Sequence, residues 1–163
     1  MTQWQGFISG RPRTKGSLDP IVKKTGRGKV TFSQKDNPES VAWKREMIKA
    51  LWTQFGVRSR AAVAALMPQY AGPVFVVATF ALDPAWHGHS REDWPFPTAH
   101  CCGDLDKLAR NLGDALEQSG LLVDDSQIME WALSKEWAVG DPGVLSKEWA
   151  MSDPGVLWTV QTL

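Results

Sequence analysis

Two pairs of acidic residues enclose one predicted helix between residues 103 and 128, "GDLDKLARNLGDALEQSGLLVDDSQI". Asp104 and Asp106 are two residues apart, and Asp124 and Asp125 are adjacent. Carboxylates gathered at the ends of neighbouring elements repel one another unless something compensates their charge. A hard divalent cation such as Mg²⁺ does so, and a metal held in this way can activate water and neutralise charge on a phosphodiester. The spacing therefore predicts a metal site suited to phosphodiester hydrolysis.

The spacing of the first pair also predicts the local backbone. Residues two apart on an α-helix lie about 200° apart around the axis, whereas in an extended segment they share a face. We therefore expect "GDLD" to be extended and the helix to begin at or just after Asp106, which would be its N-cap. The apolar spacing that follows is helical up to a stop at Gly120. Residues 121–123 predict the start of a strand, on which only one of Asp124 and Asp125 would face the first pair.

Charge is divided unevenly along a chain whose net charge is zero. Residues 1–60 hold 13 Lys and Arg against 4 Asp and Glu, a net of +9, and residues 61–163 hold 5 against 14, a net of −9. The basic part is densest in a Gly- and Pro-rich segment that cannot form a regular helix. A solubilising loop is one interpretation, but loops this long usually carry function, so we favour contact with phosphates. The predicted DNA-binding residues of this segment are Arg11, Arg13, Lys15, Lys23, Lys24, Arg27 and Lys29.

The order of predicted elements indicates an α+β fold in a single domain spanning residues 1–163. Strands are expected at 4–9, 29–33 and 72–82, a helix from the N-cap Asn37 and Pro38 to about residue 55, and a short helix at 59–67. The longest apolar stretch, residues 71–82, is too short to span a bilayer, and no signal peptide is evident. The adjacent Cys101 and Cys102 make a poor structural disulfide, so a reducing cytoplasm is the expected location.

The acidic stretch resembles the motif of the RusA family of Holliday-junction resolvases, small endonucleases common in phages and prophages. That motif runs Asp-Leu-Asp-Asn-Leu, a basic residue, Asp-Ala-Leu, and then Asp-Asp-Ser/Ala-Gln-Ile/Val. About 26 residues match closely. Elsewhere the likeness is one of layout: a basic N-terminal "GRPRTKG", a first helix, a strand before the acids, and a strand with a lysine after "DDSQI".

The resemblance implies a RusA-like fold, with a mixed β-sheet packed against two main helices. It also implies a homodimer, in the cytoplasm of a bacterium or a phage-infected cell, that nicks opposing strands of a four-way DNA junction with Mg²⁺, which Mn²⁺ could replace. Flaps or other branched DNA are alternative substrates. A DNA-binding protein of the same fold with weakened catalysis is the alternative function.

The resemblance also assigns roles by position. The metal-binding acids are Asp104, Asp106 and Asp125, with Asp124 as a supporting neighbour and Asp114 in a structural role. Arg110 stands where the family has lysine; it keeps the charge but cannot release a proton, so it would stabilise charge in the transition state. Lys107 replaces the usual asparagine and is either a phosphate contact or a solvated helix residue. Lys135 occupies the position of the strand lysine and is expected to contact DNA.

Two other groups of residues have side chains that could carry chemistry. A zinc site could be built from His87, His89, His100, Cys101 and Cys102, but their spacing matches no standard zinc pattern. Among the nine tryptophans, Trp43, Trp52 and Trp131 suit core packing. The better candidates for stacking on bases are Trp86 and Trp94, in the loop before the acids.

A tandem repeat near the C-terminus is not explained by the resemblance. Residues 133–144, "LSKEWAVGDPGV", are followed at once by residues 145–156, "LSKEWAMSDPGV", and only two of the twelve positions differ. Each copy predicts a strand followed by an Asp-Pro-Gly turn. We therefore expect an extra antiparallel C-terminal β-hairpin at a sheet edge, in which strands at residues 128–138, 144–151 and 156–163 follow one another through tight turns. It would be produced by a tolerated duplication, with Lys147 as the duplicate of Lys135.

Overall fold

A computed structural model of the protein describes residues 2–15, 23–24, 30–31, 37–66, 71–88, 95–98, 102–138 and 153–163. In these ranges the helices are α1 (Pro38–Gln54), α2 (Arg60–Leu66) and α3 (Leu105–Ser119). The strands are β1 (Gln3–Ser9), β2 (Lys23–Lys24), β3 (Val30–Thr31), β4 (Val74–Leu82), β5 (Ile128–Trp137) and β6 (Gly155–Thr162). Short 3-10 helices cover Pro84–His87 and Asp125–Gln127. The protein is α+β, as predicted.

Four strands form one mixed sheet in the order β1-β6-β4-β5. β6 runs antiparallel to both of its neighbours, whereas β4 and β5 are parallel. Parallel neighbours need a crossover connection, and the segment that contains α3 supplies it. Side chains from α1 and α3 join those of the strands in the main hydrophobic core. The expected mixed sheet with two main helices is therefore present.

Helix α1 begins where the sequence predicts. The side chain of Asn37 accepts a hydrogen bond from the backbone N–H of Glu39, and Pro38 occupies the first helical position, where its missing N–H has no cost. Trp43, Met47 and Leu51 recur every four residues and are buried in the core. Trp43 is therefore a core residue, as predicted.

Helix α3 begins one residue earlier than predicted. Its first residue is Leu105, and Asp104 holds the extended N-cap position without a capping hydrogen bond from its side chain. The interpretation of Asp106 as N-cap in an extended "GDLD" is therefore wrong, because Asp106 lies in the first helical turn. At the other end Gly120 adopts the left-handed conformation (φ 91°) that the predicted stop requires.

The strand predicted at residues 121–123 is not formed. The backbone N–H groups of Leu121 and Leu122 both donate to the carbonyl of Leu116, which extends the helix cap, and both side chains are buried. Two consecutive inward-facing side chains are incompatible with the alternation of a strand. The following strand, β5, begins only at Ile128.

The structure corrects part of the interpretation of the tandem repeat. We expected a second-copy strand at residues 144–151 to pair with the closing strand, but β6 lies between β1 and β4, which occupy both of its edges. That pairing is therefore wrong. Residues 144–151 themselves, with Lys147, lie outside the described residues, as does any pairing that they make with β5.

The cationic N-terminal segment contains a short antiparallel ribbon, in which β2 pairs with β3. A strand was predicted at 29–33, of which the structure describes Val30–Thr31, but Lys23–Lys24 was expected to be loop. Across the described ranges, none of the helices combines the length and the apolar character that crossing a bilayer requires.

Candidate active site

An open groove with a volume of about 320 Å³ lies between α3 and β5. Its lining residues are Asp106, Ala109, Arg110, Gly113, Asp125, Ile128, Trp131 and Leu133. Three of the residues predicted to be catalytic, Asp106, Arg110 and Asp125, therefore line one groove. They reach it from two different elements, the first turns of α3 and the 3-10 helix that leads into β5.

The direction of α3 determines how the two acids are placed in the groove. Lys135, near the end of β5, donates a hydrogen bond of 2.7 Å to the carbonyl of Gly103, just before α3. Gly113, further along α3, faces Ile128 and Trp131 near the start of β5. α3 therefore runs antiparallel to β5, and Asp106 and Asp125 lie toward opposite ends of the groove. From residue 106 to residue 113 the helix rises by about 10 Å.

A β-bulge shapes the wall of the groove that β5 provides. Val74 pairs with Ile128 and Phe75 with Glu130, so Met129 is an extra residue on β5. Such a bulge breaks the strict alternation of side chains along a strand. Ile128 and Trp131, which are three residues apart, can therefore both face the groove.

The two acids at the start of α3 each face a cation on the same helix. The carboxylate of Asp104 lies 2.8 Å from the Lys107 ammonium, and that of Asp106 lies 3.4 Å from the Arg110 guanidinium. The hydrogen bond from Lys107 to Asp104 raises the pKa of Lys107 above its usual value. The Asp104 and Asp106 side chains are 62% and 66% exposed, and ion pairs so open to water are weak. Both carboxylates can therefore exchange these partners for a stronger ligand.

The acids do not form a three-carboxylate cage. Asp104 is not among the groove residues, and in the part of the chain that the structure describes no three His, Cys, Asp or Glu side chains are grouped to hold a metal ion. Mg²⁺ usually keeps several waters, however, and binds proteins through one or two carboxylates together with substrate phosphates. Asp104 and Asp106 both lie close enough to Lys107 to act on its charge, and the donor chemistry of these carboxylates fits Mg²⁺ shared with a phosphate.

Asp124 caps the 3-10 helix before β5. Its side chain accepts from the backbone N–H of Ser126, and the Gln127 side chain accepts in return from the Asp124 backbone N–H. Hydrogen bonds from the Ser126 hydroxyl and backbone hold the pKa of Asp124 below its ordinary value of 3.8. This cap fixes the turn that carries Asp125, which agrees with a supporting role for Asp124.

The cap that Asp124 forms is expected to make the stability of the protein depend on pH. The folded state lowers the pKa of Asp124 below its ordinary value of 3.8. The contribution of its charge to the free energy of unfolding is therefore complete above pH 3.8 and is lost as the pH falls through the lower folded pKa. We expect Asp124→Ala to lower the urea midpoint at neutral pH, and Asp124→Asn to lower it less, since asparagine also caps. The deficit of Asp124→Asn should shrink as the pH falls from 3.8 to the lower folded pKa, at which the folded wild-type carboxylate is protonated. A deficit that is independent of pH would contradict this account.

Lys15 and Asp114 tie the cationic segment to the helices. The Lys15 ammonium lies 2.7 Å and the Lys44 ammonium 3.4 Å from one carboxylate oxygen of Asp114, which is nearly buried. The Lys15 backbone N–H donates to the carbonyl of Lys107, and the buried Asn111 amide donates to the carbonyl of Arg13. Asp114 thus has the contacts that its predicted structural role requires, and the Lys15 side chain is held in an ion pair.

The two arginines before Lys15 are also held by protein groups. Arg13 lies 3.1 Å from a Glu39 carboxylate oxygen, and its pKa is lowered chiefly by burial and then by the nearby charge of Arg11. The Arg11 guanidinium lies 5.0 Å from the centre of the Trp86 ring and donates to the Trp86 carbonyl. Trp86, predicted as a stacking residue for DNA bases, therefore already stacks with an arginine of the chain.

Several residues predicted to bind DNA or zinc lie outside the part of the chain that the structure describes. The side chains of Lys23 and Lys24, and the whole of Arg27, Lys29 and Trp94, lie outside the described residues, so their proposed roles remain predictions. His89, His100 and Cys101 of the zinc alternative also lie outside them. The two members of that set that the structure describes, His87 and Cys102, lie next to hydrophobic residues. The centre of the His87 ring is 6.1 Å from that of Trp137, and Cys102 is buried against Leu82 and Trp137.

The sequence did not predict the groove residues Gly113, Ile128 and Trp131. Trp131 was assigned to the core, and it does pack against the core while also lining the groove. The sequence signal for Gly113 is a glycine inside the amphipathic helix α3, where it costs stability relative to alanine.

Neither a protein-family model nor a curated protein matches the chain. The likeness to the RusA family is therefore carried by the motif between residues 103 and 128.

Proposed function

We propose that the protein is a Mg²⁺-dependent endodeoxyribonuclease that cuts four-way junctions or other branched DNA. The observation that carries the proposal is the single groove lined by Asp106, Arg110 and Asp125. Carboxylates suit Mg²⁺, and an arginine beside them suits a phosphate. The net charge of +9 in residues 1–60 supports a polyanionic partner.

The roles of the residues follow from their chemistry. Asp106, with Asp104 beside it, would hold Mg²⁺, which would polarise the scissile phosphate and lower the pKa of a bound water. Arg110 would release Asp106 and donate to the phosphate, where its fixed charge offsets charge that develops as the ester bond breaks. Asp125, toward the other end of the groove, would orient the substrate or bind a second cation. Paired nicks on opposing strands call for two such sites, hence a homodimer.

Anchoring of the N-terminal segment supports the placement of DNA near this groove. Lys15 is bonded through its backbone to Lys107, in the first turns of α3. Lys15, within the cationic segment, therefore lies beside the first turns of α3, which carry Asp106. Arg11, Arg13 and Lys15 are held by protein partners, so phosphate contacts are assigned to the basic residues after Lys15. Lys107 is added to them because its ion pair with the exposed Asp104 is weak enough to be exchanged. Lys135 would keep the groove in shape through its bond to Gly103.

A second candidate is a DNA-binding protein of the same fold with little or no catalysis. The pairing of Asp104 with Lys107 and of Asp106 with Arg110 favours it, because both acids already have counter-ions. Substitution of the family's asparagine and lysine by Lys107 and Arg110 points the same way.

A substrate panel separates the two candidates. Synthetic four-way junction, flap, duplex and single strand of one sequence would be incubated with the protein in Mg²⁺, in Mn²⁺ and in EDTA. The nuclease should nick branched substrates in either metal, should bind them in EDTA without cutting, and should leave the duplex intact. Junction binding without nicking in either metal would establish the second candidate, and equal affinity for all four substrates would exclude structure-specific recognition.

A further inference from the structure

We infer that the groove between α3 and β5 takes an unstacked DNA base against Trp131, next to the nucleotide whose phosphate lies at Asp106 and Arg110. The inference rests on the proposed function and extends it from a phosphate site to a site for a whole nucleotide. It concerns the apolar part of the groove, to which no role in phosphodiester hydrolysis is assigned.

The composition of the groove favours a ligand with an apolar, flat portion. Five of its eight lining residues are glycine or carry apolar side chains, and the charged residues lie toward its ends. Ligand sites of a few hundred Å³ are characteristically apolar with a few polar groups that fix orientation. A hydrated metal and a phosphate would use only the charged end at Asp106 and Arg110. The indole of Trp131 supplies the kind of surface on which a base stacks in proteins that bind unpaired strands.

Gly113 is the residue that opens the groove on the side of α3. It lies within the helix at an ordinary negative φ, so the backbone does not require glycine. A Cβ placed on it would make ordinary contacts, at 3.6 Å from the side chains of Ile128 and Trp131. Packing does not require glycine either, although glycine costs a helix roughly 0.5–1 kcal/mol relative to alanine. The missing side chain therefore leaves room for about a methyl group beside Trp131, at the wall of the groove.

The β-bulge contributes from the other side. By inserting Met129, it allows Ile128 to face the groove together with Trp131. On a regular strand, residues three apart point to opposite faces of the sheet, so the bulge is what lets both of these side chains line the groove. The Met129 side chain is 70% exposed, so the bulge does not serve to bury it.

The charged residues at the ends of the groove favour a nucleotide that is part of a DNA strand, because a strand carries a phosphate next to each base. Arg110, 48% exposed at the side chain, would bind the phosphate of the nucleotide. Strands at a branch point offer bases that are more easily unstacked than those of a continuous duplex. A base held on Trp131 would therefore select branched DNA and fix the phosphate that reaches Asp106.

The first test maps the contact by photocrosslinking. Four-way junctions would carry 5-iodouracil at each position within a few nucleotides of the branch point, and irradiation would be done in EDTA so that no strand is cut. The adduct should map by peptide mass spectrometry to Trp131 for one or two positions only. Adducts that map to other residues, or equally from all positions, would overturn the inference. Free 5-iodo-deoxyuridine monophosphate is the second arm, and a comparable yield at the same concentration would assign the groove to mononucleotides instead.

The second test closes the groove. Gly113→Leu places an isobutyl group against Trp131 and should weaken junction binding roughly 5- to 100-fold, the range for loss of one stacked base. Gly113→Ala should have a smaller effect in the same direction. The matched control is Ala132→Leu, which adds apolar bulk at an exposed residue next to Trp131 that points to the other face of β5, and it should leave affinity unchanged. Thermal melting of each variant checks folding, and mapping with the wild-type protein decides the matter if Gly113→Leu does not fold.

The outcomes distinguish this inference from the proposed function. Junctions that are nicked in Mg²⁺ while Gly113→Leu binds normally and no adduct forms on Trp131 would leave the nuclease standing and remove the base site. An adduct on Trp131 without nicking would support the base site in a protein that only binds DNA. Failure to bind any DNA would overturn both.

Discussion

Asp106→Asn is expected to lower the rate of junction nicking in Mg²⁺ by at least about 100-fold, while binding of uncut junction stays the same or tightens. Asparagine keeps the size of the side chain but loses the negative charge that holds the cation. Loss of a metal contribution of about 3 kcal/mol to the transition state gives a factor of this size. Removing a negative charge next to DNA phosphates reduces repulsion, which is why affinity should not fall.

Asp104→Asn and Asp125→Asn are expected to reduce nicking as well, and their comparison with Asp106→Asn tests the geometry. Asp104 lies beside Asp106 at the start of α3, so its loss should be partly offset by a higher Mg²⁺ concentration. Asp125 lies toward the other end of the groove. Its loss should be insensitive to Mg²⁺ where the residue orients the substrate, and should be partly offset by Mg²⁺ where it binds a second cation. Titration of Mg²⁺ for each variant, with nicking of a fluorescent junction as the measurement, separates the two effects.

Glu130→Gln is the matched control for these substitutions. It removes the same charge from an exposed residue whose side chain alternates with that of Trp131 and points away from the groove. Its rate should stay within about twofold of wild type, since screened charges at a distance contribute little. If the triple variant of Asp104, Asp106 and Asp125 still cut junctions in Mg²⁺, the assignment of the groove as the active site would be wrong.

Much of the local structure could be predicted from the sequence because short-range physics determines it. Asn37 followed by Pro38 defines the start of α1, and Gly120 defines the stop of α3 by its left-handed conformation. The apolar, β-branched run at residues 72–82 forms the central strand β4. In each case the residues that define the element lie within a few positions of its boundary.

The arrangement of the acids could not be predicted in the same way. The spacing of the acids predicted Asp106 as the N-cap, whereas helix α3 begins at Leu105. The rotation of α3 against the core is determined by the buried side chains of Leu108 and Leu112. Whether Asp106 and Asp125 would lie close together depended on the direction of α3 relative to β5, which tertiary packing decides. The motif thus identified Asp106, Arg110 and Asp125, which line the groove, but not their separation within it.

The closing strands show the same limit at the level of the sheet. Residues near the C-terminus were expected to pair with their neighbours in sequence, yet β6 inserts between β1 and β4. The alternation of buried Val156, Trp158 and Val160 determines which face of β6 meets the core, but not which strands it pairs with. The repeat in the sequence carried no information about that position.

Asp114→Ala is expected to have the largest effect on stability among the substitutions considered, lowering the free energy of unfolding by about 2–3 kcal/mol. Asp114 is 9% exposed, and one of its oxygens bonds both Lys15 and Lys44. Removing one side of a buried ion pair leaves uncompensated charge and costs about 3–5 kcal/mol. The value here is set lower because the Lys15 and Lys44 side chains, at 19% and 16% exposure, keep some access to water.

A double-mutant cycle in urea identifies the source of this loss. Lys15→Ala alone should cost less than Asp114→Ala, because Lys44 would still neutralise Asp114. Once Asp114 is absent, Lys15→Ala should cost little more, so that the two changes together lower the free energy of unfolding by about 0.5–3 kcal/mol less than the sum of the single changes.

Asp114→Asn is the control that keeps hydrogen bonding without the charge. Its free energy of unfolding should lie between those of wild type and Asp114→Ala. Strict additivity, or equal losses for the asparagine and alanine variants, would show that packing rather than the ion pair makes Asp114 stabilising. In that case the cationic segment would be held to α3 mainly by the bonds that Asn111 and the Lys15 backbone make.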